Sequence, residues 1–140
     1  MSAAYVYCNT LPLLLFSSVT DIREQEIPLW ACAASCVAAA GFQLWDGLGW
    51  AHVGTSALSG LLPAAIFLIN TLFLGGGGGD CTLSFAIGIS LGATAGLVII
   101  LIACLLVTAF CLISKKRTPC PLAPFLFTGT IVYLILGEIL

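Results

Sequence analysis

Charge is the property that this sequence has least of. Four basic and six acidic residues occur among 140, and histidine occurs once. A soluble domain carries charge on about a quarter of its residues, whereas this chain is 7% charged and 61% hydrophobic, with a mean hydropathy of +1.18. Four cations are also too few to form a phosphate-binding stripe. The composition excludes a soluble domain and a nucleic-acid partner, and it predicts a single membrane-embedded domain over residues 1–140.

The partners that a metal or thiol site needs are also scarce. Seven cysteines are present, but most fall within apolar runs, where a thiol behaves as a small apolar side chain. Cys32 and Cys36 share a helix face, yet the one histidine, His52, is expected on the other side of the membrane. A CxxC motif is absent. We therefore expect structural thiols, no metal and no cofactor.

Five apolar runs account for most of the chain: Ala3–Val19, Pro28–Trp45, Val53–Leu74, Cys81–Ile113 and Pro121–Leu140. One crossing of the hydrocarbon core takes about 20 helical residues. The fourth run, with 33 residues, is too long for one crossing, and its glycines predict a turn near Gly92–Thr94. The pattern predicts an all-α membrane protein of about six helices, one of them short.

The basic residues decide that the fourth run contributes two crossings. Arg23 follows the first run, and Lys115–Arg117 precede the last. Short loops rich in Lys and Arg face the cytoplasm, where they bind lipid headgroups, so an even number of crossings separates these two loops. Both termini are then predicted outside. The same parity places Asp21 and Asp80 together at the cytoplasmic face, opposite the predicted loop Asp46–His52.

The hydrophobic chain is interrupted by five consecutive glycines followed by an aspartate, in "LGGGGGDCTL". Two carboxylates that meet at one face cannot both ionise easily, so one keeps a proton and the pair can activate a water molecule against a carbonyl. Structural alternatives remain open. Asp80 would also serve as a helix N-cap, Asp21 as a cap or a partner for Arg23, and the glycines as a flexible loop.

Three stretches resemble the type IV prepilin peptidases in family order: "TDIREQEIP" (20–28), the GxGD element at Gly77–Asp80, and "PLAPFLFTG" (121–129). The resemblance implies a membrane-embedded aspartic endopeptidase with Asp21 and Asp80 as its catalytic pair. It also implies a partner, a prepilin or pseudopilin-like precursor whose basic leader is cleaved at the bacterial inner membrane. The residues that would bind substrate or shape the site are Gly77, Gly78, Gly79, Arg23, Pro121 and Pro124.

Two departures from the family pattern bear on activity. Thr82 stands where the family usually has a lysine, and the cytoplasmic insert with CxxC pairs is missing, as in the minimal members of tight-adherence pilus systems. Thr82 supports an alternative interpretation, a catalytically inactive subunit that holds pilin helices. A small transporter with a proton relay ranks last, because both acids lie at helix ends instead of deep within the membrane.

Overall fold

The computed structural model of the chain describes residues 6–74, 78–114 and 121–139, which are helical apart from short connections. A π-helical turn at Val6–Thr10 leads into the first of six α-helices. These are α1 (Leu11–Glu24), α2 (Leu29–Trp45), α3 (Gly49–Leu74), α4 (Gly78–Leu91), α5 (Ala93–Ser114) and α6 (Ala123–Ile139). The predicted all-helical fold and the number of helices are confirmed, while the membrane topology stays a prediction.

Two helices run further than the apolar runs that predicted them. Helix α1 continues past Val19 to Glu24, so Asp21 lies in its last turn and is not its last residue. Helix α3 already begins at Gly49, which shortens the predicted loop Asp46–His52 to residues 46–48. Hydropathy shows where the apolar residues stop, but a helix can continue through polar residues when no glycine or proline interrupts it. Between Val19 and Pro28 the sequence contains neither glycine nor proline.

The predicted division of the 33-residue apolar run falls at Gly92. This glycine separates α4 from α5 and has φ +89°, a left-handed conformation that side chains with a Cβ rarely adopt. Its N–H still donates to the carbonyl of Gly88, so α4 closes its last turn before the chain reverses. A short α4 of about 21 Å results.

Helix α4 is central, with half of its residues buried between α2, α3 and α5. Glycines allow this close packing, because a Cβ on Gly88 would lie 2.6 Å from the Cα of Gly60 and 2.7 Å from Cγ of Pro63. A Cβ on Gly96 of α5 would lie 3.4 Å from Cγ of Pro63, in ordinary contact. Gly88 in particular therefore serves helix packing, as small residues do in membrane bundles.

The outside of the bundle is strongly apolar. Residues Gly49–Ile69 of α3 and Ala93–Ile113 of α5 are long and apolar enough to span a membrane, and Leu29–Trp45 and Ala123–Gly137 are shorter apolar helices. Large hydrophobic side chains are exposed along these helices, among them Trp30, Val37, Leu58, Leu101, Leu105 and Leu112. Such a surface is suited to lipid and not to water.

The chain reverses direction between successive helices, and this order positions the site. Helix α1 ends, and α4 and α6 begin, at the same end of the bundle, where residues of α1 and α4 line one cavity and a hydrogen bond joins α1 to α6.

Candidate active site

A cavity of about 290 Å³ opens at this end of the bundle. The end of α1 and the segment after it form one wall, and the start of α4 forms the other. Both acids predicted from the sequence line it, within the set Asp21, Gln25, Glu26, Ile27, Gly78, Gly79 and Asp80. The fold therefore brings together two carboxyl groups that are 59 residues apart in the chain.

Asp21 is held in place by the last helix. Its side chain is 8% exposed, on the core-facing side of α1. Its Oδ2 accepts the backbone N–H of Ala123, the first residue of α6, at 2.9 Å. Neither Pro121 nor Leu122 has a side chain that can cap this helix, so Asp21 does so from 102 residues away.

Asp80 lies in the first turn of α4, just before the apolar run that begins at Cys81. Burial, together with the smaller effect of the neighbouring charge of Asp21, raises the pKa of its carboxyl from 3.8 to about 6. Both causes disfavour a second negative charge in the cavity. Asp80 is thus suited to keep a proton under conditions in which an ordinary aspartate is ionised.

The glycine before Asp80 is required by close packing. A Cβ on Gly79 would lie 2.8 Å from Cβ of Ile27, a distance that real side chains do not reach without a shift. A Cβ on Gly78 would meet nothing within 4 Å. The GxGD element and the "EIP" end of the first motif are therefore in direct contact, and Gly79 permits it. Gly77 lies outside the described residues.

The segment between α1 and α2 lines the cavity, which the sequence does not predict. Gln25 ends α1 in a left-handed conformation, φ 55°, and its N–H donates to the carbonyl of Asp21 at 3.1 Å. This reversal turns Glu26 and Ile27 towards the cavity that they line. The sequence contains no local signal for it, because glycine is the usual residue at such a position.

The other predicted site residues do not line the cavity. Arg23 is exposed in the last turn of α1, and the described partner of the Asp21 carboxylate is the N–H of Ala123. Of the structural alternatives for Asp21, a helix cap is therefore seen, at the start of α6. Pro121 and Pro124 flank Ala123 and are half-buried, so their place is at the start of α6. Thr82 donates its hydroxyl to the carbonyl of Gly79 at 2.8 Å, within α4.

Thiols and metal ligands show no cluster in the parts of the chain that the structure describes. The cysteines there are free, and no three histidine, cysteine or acidic side chains are grouped so that they could hold a metal ion. Cys81, next to Asp80, donates its thiol to the carbonyl of Ala64 at 3.2 Å, a contact between α4 and α3. Cys120 lies outside the described residues.

The fold and this site define a bundle of apolar helices with a paired-carboxylate pocket at one end. The chain belongs to the Type IV leader peptidase family, whose profile matches residues 8–112. This is a family of membrane proteins and proteases that act on prepilin-type substrates. The match includes both acids and ends before α6. No curated protein and no solved structure matches the chain.

Proposed function

We propose that the protein is an aspartic endopeptidase that removes the basic leader of a prepilin or pseudopilin-like precursor. The observation that carries this proposal is the shared cavity of Asp21 and Asp80, two acids in unlike environments. Asp21 accepts an N–H at a helix start, and Asp80 has its pKa raised to about 6. Two carboxyls whose environments differ in this way suit a base and an acid.

The environments also suggest which acid has which role. Asp21 would take a proton from water, whose oxygen attacks the carbonyl carbon of the scissile peptide, while Asp80 would give its proton to the carbonyl oxygen. In the second step the proton on Asp21 passes to the leaving nitrogen and the C–N bond breaks. The diol's proton then returns to Asp80 as the new carboxyl group forms. This sequence restores both groups and consumes one water per bond.

The charge of the cavity fits a basic leader. Among the described residues that line it, Asp21, Glu26 and Asp80 are acidic and none is basic. Glu26 is exposed at the rim, where it would attract a lysine or arginine of the leader without entering the reaction. Gly78, with open space around it, leaves room for an extended peptide beside α4.

The proposed location is the cytoplasmic face of the bacterial inner membrane, with the protein crossing the bilayer several times. The apolar helix of the precursor would then lie in the bilayer beside the enzyme, with its leader in the cavity. This location rests on the predicted position of Arg23 and Lys115–Arg117, of which Lys115–Arg117 lie outside the described residues.

Cleavage of a co-expressed precursor tests the proposal. We expect Asp21→Asn and Asp80→Asn each to abolish processing, measured as the loss of the shorter product on immunoblots of membranes, while both variants accumulate to wild-type levels. Asp46→Asn, at the opposite end of the bundle, is the matched control and should cleave normally. Full processing by either site variant would refute the pair as catalytic. A precursor left uncut by the wild-type protein would favour the non-cutting, pilin-holding alternative that Thr82 suggests.

A further inference from the structure

Two serine hydroxyls in the core have no hydrogen-bond partner among the residues that the structure describes. Ser17 of α1 and Ser84 of α4 are both 0% exposed, and the Oγ atom of each forms no hydrogen bond. A buried hydroxyl without a partner is unfavourable, because it has lost its hydrogen bonds to bulk water. In native proteins such groups are nearly always satisfied by another group or by an ordered water molecule.

Other hydroxyls in these helices show what an isolated serine or threonine does by default. They donate to a backbone carbonyl one turn earlier, as seen for Ser18, Ser59, Thr82, Thr108, Thr128 and Thr130. A rotation about χ1 would offer Ser17 and Ser84 the same bond. Neither serine forms this bond, so both hydroxyls are free to bind a different partner.

Both serines lie one helical turn below a candidate catalytic acid. Ser17 precedes Asp21 by four residues in α1, and Ser84 follows Asp80 by four residues in α4. Residues four apart lie on the same helix face. Because α1 runs towards the cavity and α4 runs away from it, both hydroxyls are placed on the core side of the acids. The other unpaired buried oxygens, on Thr10 and Gln43, lie nearer the far ends of their helices.

We propose that Ser17 and Ser84 form a buried water-binding site beneath the acid pair. Water bound there would satisfy both hydroxyls and reach the carboxyl groups one turn above. Both serines are positioning residues in this proposal. Their role in catalysis rests on the proposed function, because the water would hold the orientation of Asp21 and Asp80 during hydrolysis.

The sign of a stability change tests the water site without substrate. If water binds the hydroxyls, Ser17→Ala and Ser84→Ala should each lower the melting temperature by about 2–4 °C relative to Ser18→Ala. Ser18 is the matched control, since it is also buried but its hydroxyl already bonds to the carbonyl of Leu14 at 2.6 Å. The double variant should lose less than the two single losses combined, because both would remove the same water.

A melting temperature of Ser17→Ala and Ser84→Ala at or above that of Ser18→Ala would overturn the proposal, since removing a truly unpaired hydroxyl stabilises a core.

For the positioning role, the pH–rate profile of precursor cleavage is the second measurement. Loss of a water that donates to a carboxylate should move the acid limb to higher pH in both variants, with the Ser18→Ala limb unchanged. An unchanged limb would overturn the positioning role. A wild-type protein that cleaves nothing would instead refute the proposed function, while the melting experiment would still decide on the water.

Discussion

At the scale of single residues, the unlike surroundings of Asp21 and Asp80 decide what the site can do. A backbone N–H donates to one carboxyl, and burial together with the neighbouring carboxylate raises the pKa of the other to about 6. If both acids had the same surroundings, neither would be favoured to hold the proton that they share. In this protein the surroundings differ, because Asp21 accepts a hydrogen bond from the start of α6 and Asp80 lies desolvated in the first turn of α4.

The raised pKa of Asp80 predicts how stability depends on pH. The folded state binds the proton of Asp80 more tightly than the unfolded state, so stability falls as the pH rises from about 3.8 to about 6. Asp80→Asn removes this loss. We expect the variant to have a higher melting temperature than wild type at pH 7.5. Its free energy of unfolding should be larger by about 1–2 kcal/mol once solvent screening is allowed for.

Thermal melts at pH 4 and pH 7.5 check this expectation. At pH 4 the two proteins should differ little, because most of Asp80 is then protonated in the wild type. Asp46→Asn, which removes an exposed carboxylate, is the control and should show no such pH-dependent gain. An Asp80→Asn variant that melts lower than wild type at pH 7.5 would contradict a desolvated, raised-pKa carboxyl.

Asp21 stabilises the start of α6 in addition to its proposed catalytic role, and two substitutions can separate these roles. Asp21→Ala leaves the N–H of Ala123 without its acceptor and should lower stability by about 1–2 kcal/mol. Asp21→Asn keeps a carbonyl oxygen at this place and should retain most of the stability. Chemical denaturation in detergent measures both. Equal loss in the two variants would mean that the charge, and not the hydrogen bond, holds α6.

At the scale of helices, the contact between Gly79 and Ile27 joins the two sequence motifs. A methyl group on Gly79 would stand 2.8 Å from Cβ of Ile27, so Gly79→Ala must push α4 away from the segment before α2. Overpacking of this kind costs about 1–3 kcal/mol. We expect this substitution to lower the melting temperature and to reduce precursor cleavage by at least about tenfold, since it displaces Asp80.

Gly78→Ala is the matched control for this experiment. The two glycines are adjacent, in the same helical turn, and the substitution adds the same methyl group, but nothing lies within 4 Å of a Cβ at Gly78. Its stability should stay the same or rise slightly, because alanine favours a helix more than glycine does. If both variants behaved alike, the glycines would matter as flexible chain and not as a packing contact.

Sequence reasoning predicted the helices well and the contacts between them poorly. The break near Gly92 follows from run length and glycine placement, and the count of six follows from these together with the even number of crossings that the basic residues require. The bond from Ala123 to Asp21 depends on where α6 begins relative to α1, and no local pattern encodes it. The turn at Gln25 was missed because its residue type is unusual there. The roles of Arg23, Pro121 and Pro124 in binding substrate stay predictions.

At the scale of the whole molecule, the even number of passes between the two acids is the property on which the proposed function depends. The structure brings the end of α1 and the start of α4 to one cavity, and α2 carries the chain to the opposite end at Asp46. Neither fact states which end faces the cytoplasm. Arg23 and Lys115–Arg117 predict that the cavity does.

Cysteine labelling tests that prediction in intact cells. With the seven native cysteines replaced, single cysteines at Gln25, Gly78 and Asp46 each occupy an exposed position. An impermeant maleimide should label Gln25→Cys and Gly78→Cys only after the cells are opened, and Asp46→Cys without opening. Basic leaders are retained on the cytoplasmic side by their charge, so a cavity on the other side would never meet one. Labelling of Gln25→Cys or Gly78→Cys in sealed cells would therefore rule out leader cleavage at this site, however well the two carboxyls were paired.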